Sequence, residues 1–405
     1  MATTLAGATQ DEVRRHNLGS LLRLLHVNGA TSRSDLTALT GLNRSTVGAL
    51  TTDLAEAGLV LERAPVGRGG AGRPSIVVGP HTERVHVLAM DVGVDHLIVA
   101  RVGLGGEVLD RREVRQSRGD YETGRILRQV ERLTRSVVAG AATDSVCVGI
   151  GAGVCGVVRH SDGLVRFAPN LGWVDVPFGQ LLAERLATAL PVTIGNDADL
   201  GAIAEHVRGA AAGARNVIFL SGEVGVGGGI ILDGRLMSGA GGYGGEVGHM
   251  VVNPRGRLCR CGARGCWETE VGEDAVLVAA GLPDGSIQDV LDAAEAGDRR
   301  ARAGLRRVGY WLGVGIANLV NVFNPEVVVF GGVLRQLLPA TEALVRAELA
   351  RALAAPREQV RLALPGLGGD ATLMGAAESA FATLLDDPLG TLAGRFDAVP
   401  GRTRA

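Results

Sequence analysis

The 405-residue chain contains no lysine. All 41 of its basic residues are arginine, so every cationic contact it makes is a forked guanidinium rather than an ammonium point charge. Aromatic residues make up only 3%, which leaves the cores to Val, Leu, Ile and Ala. Cysteines number five, and three of them sit in one short motif. The other two, Cys147 and Cys155, are too few for a disulfide framework, which points to a reducing compartment. No apolar run reaches the roughly 18 residues of a membrane span, and the N-terminal MATTLAGATQDEVRR lacks the apolar core of a secretion signal. The expectation is a cytoplasmic protein with no membrane contact. A net charge of −2 argues against a chain that coats nucleic acid over its whole surface. What is abundant is apolar residue, 46%, and glycine, 61 copies, the texture of a globular protein rich in tight turns, with length for two or three domains.

Residues 11–80 read as short helices followed by a hairpin. EVRRHNLGSLLRLLHVNG carries Leu18, Leu21, Leu22 and Leu25 at helical spacing and stops at Gly29. Ser32 caps a second helix, with Asp35 in the capping-box position, and Gly41 ends it. Asn43 or Ser45 opens a longer third helix with Val47, Leu50 and Leu54 on one face. LVLER and PSIVVG then form a β-hairpin around GRGGAGR, so the module is a winged helix-turn-helix. The same helices could form a small dimerisation bundle. The polar residues favour DNA: Ser32 and Arg33 start the second helix, and Asn43, Arg44, Ser45 and Thr46 cluster where a recognition helix meets base edges. Arg68 and Arg73 at the hairpin tip suit a narrow, electronegative minor groove, although the tip alone could be a linker. Eight arginines against six acids in residues 1–80 give only +2.

Beyond His81 apolar strands alternate with helices, and a repeat appears. Asp-Val-Gly-Val at 91–94 recurs as Glu-Val-Gly-Val at 223–226, each inside a strand–glycine turn–strand. Duplication of such a unit predicts two α/β lobes with a cleft between them, where glycine turns can cradle phosphate through backbone N–H groups; two ordinary hairpins are the plainer alternative. The lobes are placed at 85–200 and 201–385, the last helix returning to the first lobe, with a flexible tail at 386–405. Within 23 residues stand Glu246, His249, Cys259, Cys261, Cys266 and Glu268. Three thiols in C-x-C-x4-C spacing and a histidine ten positions upstream supply the four ligands of a closed structural Zn2+ site, one per chain. Such a site has no open position for chemistry, so the flanking carboxylates are groups for something else to bind, or else incidental surface acids.

These residues resemble the ROK family (repressors, open reading frames, sugar kinases) over roughly residues 11–385. Cys259 to Glu268 matches that family's C-x-C-G-x-x-G-C-x-E, preceded by its E-x-G-H as Glu246–His249, and VVVFGGVL at 327–334 is similar to the segment lining the nucleotide side in kinase members. The resemblance implies a duplicated, actin/hexokinase-like (ribonuclease-H-like) α/β fold behind the α+β winged head. It also implies a sugar site of Asn170, Asn196, Asp197, Glu246, His249 and Glu268, with Asp197 at the catalytic-base position of kinases. Physically the set suits a polyhydroxyl ligand: carboxylates accept from hydroxyls, and asparagine amides donate and accept. Asn196 and Asp197 could equally be helix caps, and Asn170 a turn residue after Pro169.

The departures matter as much. Where kinase members carry D-x-G-x-T and G-T-G, this chain has Asp95 for the threonine and Glu223-Val224-Gly225. Two phosphate-binding hydroxyls are lost, to Asp95 and Val224, and two carboxylates, Asp95 and Glu223, have arrived; like charges about 4 Å apart repel by on the order of 4 kcal/mol at an effective dielectric near 20. The expectation is therefore a non-enzymatic repressor whose binding to operator DNA responds to a sugar, acting as a homodimer or dimer of dimers. A linker near residues 79–85 is expected to carry the signal. A hexose kinase with a DNA-binding head, and a repressor blind to sugar, are the alternatives.

Overall fold

Thr9 and Glu12 form a reciprocal capping box that starts α1 (Gln10–Asn28), and its leucines bury one face. The computed structural model describes residues 9–64, 75–117, 119 and 121–396. After α1 come β1 (Thr31–Ser32) and α2 (Arg33–Thr40), which Ser32 caps and a left-handed Gly41 closes. Asn43 rather than Ser45 caps α3 (Arg44–Glu56): its Oδ1 accepts from the Thr46 N–H and from the Ser45 hydroxyl. β2 (Val60–Arg63) and β3 (Val77–Pro80) pair antiparallel, and β1 adds to β3 as a third strand. Arg68 and Arg73 lie outside the described residues.

Two five-stranded sheets follow with one topology. The first comprises β4 (Val85–Val92), β5 (His96–Gly103), β6 (Val108–Arg115), β7 (Val146–Val154) and β11 (Val192–Asn196). α4 (Thr123–Val138) precedes β7. Between β7 and β11 lie β8 (Val157–Arg159), β9 (Leu164–Ala168), β10 (Trp173–Val176) and α5 (Phe178–Arg185). α6 (Asp197–Arg208) crosses to the second sheet, built from β12 (Val217–Gly222), β13 (Val226–Leu232), β14 (Arg235–Leu236), β15 (Val327–Gly332) and β16 (Arg361–Ala363). Its helices are α7 (Glu268–Val271), α8 (Glu273–Ala280), α9 (Ile287–Glu295), α10 (Arg299–Phe323), α11 (Leu334–Leu349) and α12 (Ala354–Gln359). The orders β6-β5-β4-β7-β11 and β14-β13-β12-β15-β16 correspond strand for strand, three antiparallel and then two parallel. The duplication seen in the glycine turns is thus a duplication of whole sheets, with the turns at 93–95 and 223–225 in matching places.

α13 (Ala371–Asp386) packs back on β4 and β7: a Cβ on Gly151 would meet the Ala376 carbonyl. Two sequence expectations need correction. The boundary at 200/201 cuts through α6, a continuous helix that serves both sheets and so leaves no compositional break. Residues 388–396 are not a loose tail but α14 (Pro388–Phe396), anchored by buried Leu392 among residues of α1 and α13; nine residues are too few for periodicity to declare itself. The linker placed near 79–85 is a short link, since β3 runs to Pro80 and β4 starts at Val85. The head shares one apolar core with the first lobe, Leu21, Leu22 and Leu25 packing with Val85, Val87, Leu384 and Leu385. At the tightest crossing only glycine fits: a Cβ on Gly19 would stand 2.5 Å from the Leu385 carbonyl oxygen. Among the described residues no helix is long and apolar enough to cross a membrane.

Candidate functional site

The cysteine segment is a knuckle tied by its own backbone. Val251 bridges Cys266 and Leu258 bridges Arg264, while the Cys259 N–H donates to Ala263 at 2.8 Å. The second glycine of the motif is obligatory: Gly265 has φ +76, and a Cβ there would sit 1.6 Å from the Asn253 carbonyl oxygen. The knuckle is bolted to α10. Trp267 is fully buried with its indole N–H donating to Trp311 at 2.8 Å, and buried Glu270 accepts from Asn253 at 2.8 Å and Arg307 at 2.7 Å.

The ligand atoms of His249, Cys259, Cys261 and Cys266 all lie within 4.8 Å of one another, with Cys261 and Cys266 Sγ 3.6 Å apart and His249 Nδ1 3.7 Å from Cys259 Sγ. Tetrahedral bonds of about 2.3 Å to sulfur set neighbouring donors near ~3.8 Å, so this N/S set fits a closed four-coordinate metal ion. His249 turns Nδ1 to the thiols and Nε2 toward Glu246, 3.8 Å from its Oε2. Glu268 Oε1 accepts from the Cys259 thiol at 2.8 Å.

All six residues named for the sugar, Asn170, Asn196, Asp197, Glu246, His249 and Glu268, line a single cavity between the lobes. Their backbones come from four places: the β9–β10 turn, the β11–α6 junction, the short helical turn around 246–249, and the start of α7. Asn196 is largely committed to structure. Its Oδ1 caps α6 through the Ala198 and Asp199 N–H groups, and its amide donates to Gly156 at 2.9 Å. Pattern reading had no means to see Arg260, which reaches across the cleft from between two cysteines and donates to Asn170 Oδ1 at 2.6 Å. With its oxygen so held, Asn170 keeps its amide N–H groups as donors.

An adjoining cavity takes in Asp91, Asp95, His96, Glu223, Gly332 and Val333. Here the charge picture differs from the one drawn from the loops alone, because a cation stands among the acids. His96 Nε2 lies 3.3 Å from Asp91 and Nδ1 2.8 Å from Asp95, so both ring nitrogens are engaged. The hydrogen bond to Asp91 outweighs burial and raises the imidazolium to about 10. Burial and the Asp91 charge push Asp197 up to about 7, and burial, Asp197 and Asp91 push Glu223 up to about 8. A folded-state pKa raised this way favours the protonated form. The stability it confers is present below about pH 4 and is lost as pH rises through 7 to 8. Glu223→Gln is therefore expected to match the wild type in melting temperature at pH 5 and exceed it by a few degrees at pH 9, on the order of 1–2 kcal/mol. Equal melting curves at both pH values would contradict the burial of that charge.

At the head, Arg44 and Ser45 are exposed at the N-terminus of α3, and Arg44 has no ion-pair partner among the described residues. Asn43 and Thr46 hold the cap, and Ser32 caps α2 while bonding Asp35. Arg33 departs from its expected role: its guanidinium pairs with Glu62 of the wing, so its charge is not free for phosphate.

A family model, "ROK family", matches residues 87–382. The xylose repressor of Caldicellulosiruptor bescii is 32% identical over 327 residues, which cover 77% of this chain and 81% of that protein. A crystal structure of a ROK family transcriptional regulator, a homologue of the Escherichia coli MLC protein, superposes with a TM-score of 0.78 and 28% identity over 94% of this chain and 98% of that one. A ROK family glucokinase from Streptomyces griseus, in complex with glucose and AMPPNP, aligns at a TM-score of 0.62 and 29% identity, over 73% of this chain and 99% of the kinase.

Proposed function

The chain belongs to the ROK family, and from that premise we propose that it is a DNA-binding repressor whose grip on its operator responds to a sugar. The observation that carries this reading is the convergence of Asn170, Asn196, Asp197, Glu246, His249 and Glu268 on one cleft joined to a helix-turn-helix head. The acids accept hydroxyl protons and the amides donate, which is what a polyol needs. The metal is Zn2+, one per chain, held by His249, Cys259, Cys261 and Cys266. When bound it supplies folding energy and a stiff frame; the side chains of this protein do the recognition. A cytoplasmic dimer, or a dimer of dimers, sets two α3 helices on half-sites about one DNA turn apart. Arg44, Ser45, Asn43, Thr46 and Ser32 are the contacts this reading assigns, with Arg68 and Arg73 of the wing entering the minor groove.

Sugar shifts the balance through its differential affinity for open and closed cleft. Since the relative named above is a xylose repressor, D-xylose heads the panel of pentoses, hexoses and amino sugars to be tried. The test is a fluorescence-anisotropy titration of the gene's own upstream DNA. Binding is expected to weaken with salt and to change at least ten-fold with one sugar, and Arg44→Ala should reduce affinity by about 1–3 kcal/mol. Salt-sensitive binding that no sugar alters would reject the mechanism.

The glucokinase likeness gives one other reading, a sugar kinase, because the Asp197 carboxylate is intact. Against it stand Asp95, Glu223 and Val224 in the phosphate loops and a His96 whose two nitrogens are both taken. ADP release with sugar and MgATP, abolished by Asp197→Asn, would establish the kinase instead.

A further inference from the structure

α6 runs from the cleft to the head. Asp197 is its first residue and Arg208 its last, about 17 Å along the axis. α13 lies beside it and is tied to it at the cleft end, where the Thr372 hydroxyl donates to the Asp197 carbonyl at 3.3 Å. At the far end the two helices meet α1 in a buried polar joint. Arg208 uses all three guanidinium nitrogens there: Nε donates to Glu378 of α13 at 2.5 Å, one terminal nitrogen to the Gly105 carbonyl at 2.9 Å, and the other to the His26 carbonyl of α1 at 3.0 Å.

His26 is wholly buried in the same joint. The Gly105 N–H donates to its Nδ1 at 3.0 Å, so Nδ1 is the acceptor, and the proton sits on Nε2 and is given to Glu378 at 3.0 Å. The ring also packs edge-on against Phe381 of α13. Four separate segments, α1, the β5–β6 turn, α6 and α13, therefore close on one guanidinium and one carboxylate, with the principal hydrogen-bonding atoms satisfied from within. A merely apolar contact tolerates sliding. A forked set of directional bonds does not, because displacing α6 leaves a buried charge unpaired.

We propose that Arg208 and Glu378 are the positioning residues that transmit cleft occupancy to the head, holding α1 in the orientation that α6 and α13 dictate. This rests on the sugar-responsive reading above. Neither residue touches the sugar cavity or the DNA-facing end of α3, so their loss should alter the coupling between the two sites and neither site itself.

The test uses the full-length protein with Arg208→Gln/Glu378→Gln, in which both charges are removed together and no unpaired ion is left buried. Three quantities are measured: sugar affinity by calorimetry, operator affinity without sugar, and the ratio of operator affinities with and without sugar. The first two should stay within three-fold of wild type while the ratio falls from at least ten to below three. Arg208→Lys, which keeps the charge and loses the fork, should fall likewise. If the double variant does not fold, hydrogen exchange on the wild type decides: sugar should change protection of amides at 24–29 and 104–106. A ratio preserved in the variants, or exchange at those amides indifferent to a sugar that shifts operator affinity, overturns the inference. A wild type indifferent to every sugar would sink the functional reading instead.

Discussion

Cys266→Ser is expected to abolish stoichiometric metal binding and to weaken sugar binding by roughly a hundred-fold while the lobes stay folded. Cys266 is fully buried and shares its ligand set with His249, the residue that also faces the cleft. Without the ion, the knuckle keeps Trp267 and Glu270 as anchors to α10 but loses the pin on its outer half. Glu246, His249 and Glu268 then have to be ordered by the ligand itself. At about 0.5–1.5 kcal/mol for each side chain immobilised, three of them cost ~1.5–4.5 kcal/mol of binding energy. Because the anchors remain, far-ultraviolet circular dichroism should change little. A variant that keeps the metal, or one that loses it and binds sugar as tightly as before, would show that the frame is not what positions the acids.

Asp197→Ala is expected to lower sugar affinity by about 10- to 100-fold, the 1.5–3 kcal/mol of a hydrogen bond to a charged group. The effect should be larger at pH 9 than at pH 6. Burial and Asp91 hold the Asp197 carboxyl up to about 7, so only above that value is it fully ionised and the stronger acceptor. The same substitution should not destabilise the free protein at alkaline pH, since it removes a charge whose burial is unfavourable there. Calorimetry at the two pH values separates these effects, and an unchanged affinity in the variant would remove Asp197 from the site.

How much of this was legible in the chain depends on the range of the interactions. The metal ligands were readable because three thiols and an imidazole within 18 residues leave few other uses for them. The head was readable too: Gly29, Gly41 and the caps are local chemistry, although β1 is too short for any pattern. The sheet duplication showed in its glycine turns. Hidden were contacts made by the fold alone. His96 neutralises the acids beside it only because β4 and β5 pair, and Arg260 finds Asn170 ninety positions away. The joint of His26, Arg208 and Glu378 spans 352 positions and has no signature in composition or spacing. For the same reason the apolar core that the head shares with the first lobe had no signature in the chain.

The most direct measurement is thermodynamic reciprocity between the two ligands. A sugar that changes operator affinity by some factor must have its own affinity changed by the same factor when operator is bound. Sugar titrated calorimetrically into the free protein and into the operator complex should give dissociation constants differing at least ten-fold, matching the factor seen by anisotropy. Identical constants in the two titrations would mean that cleft and head are uncoupled, and a sugar-controlled repressor would be excluded.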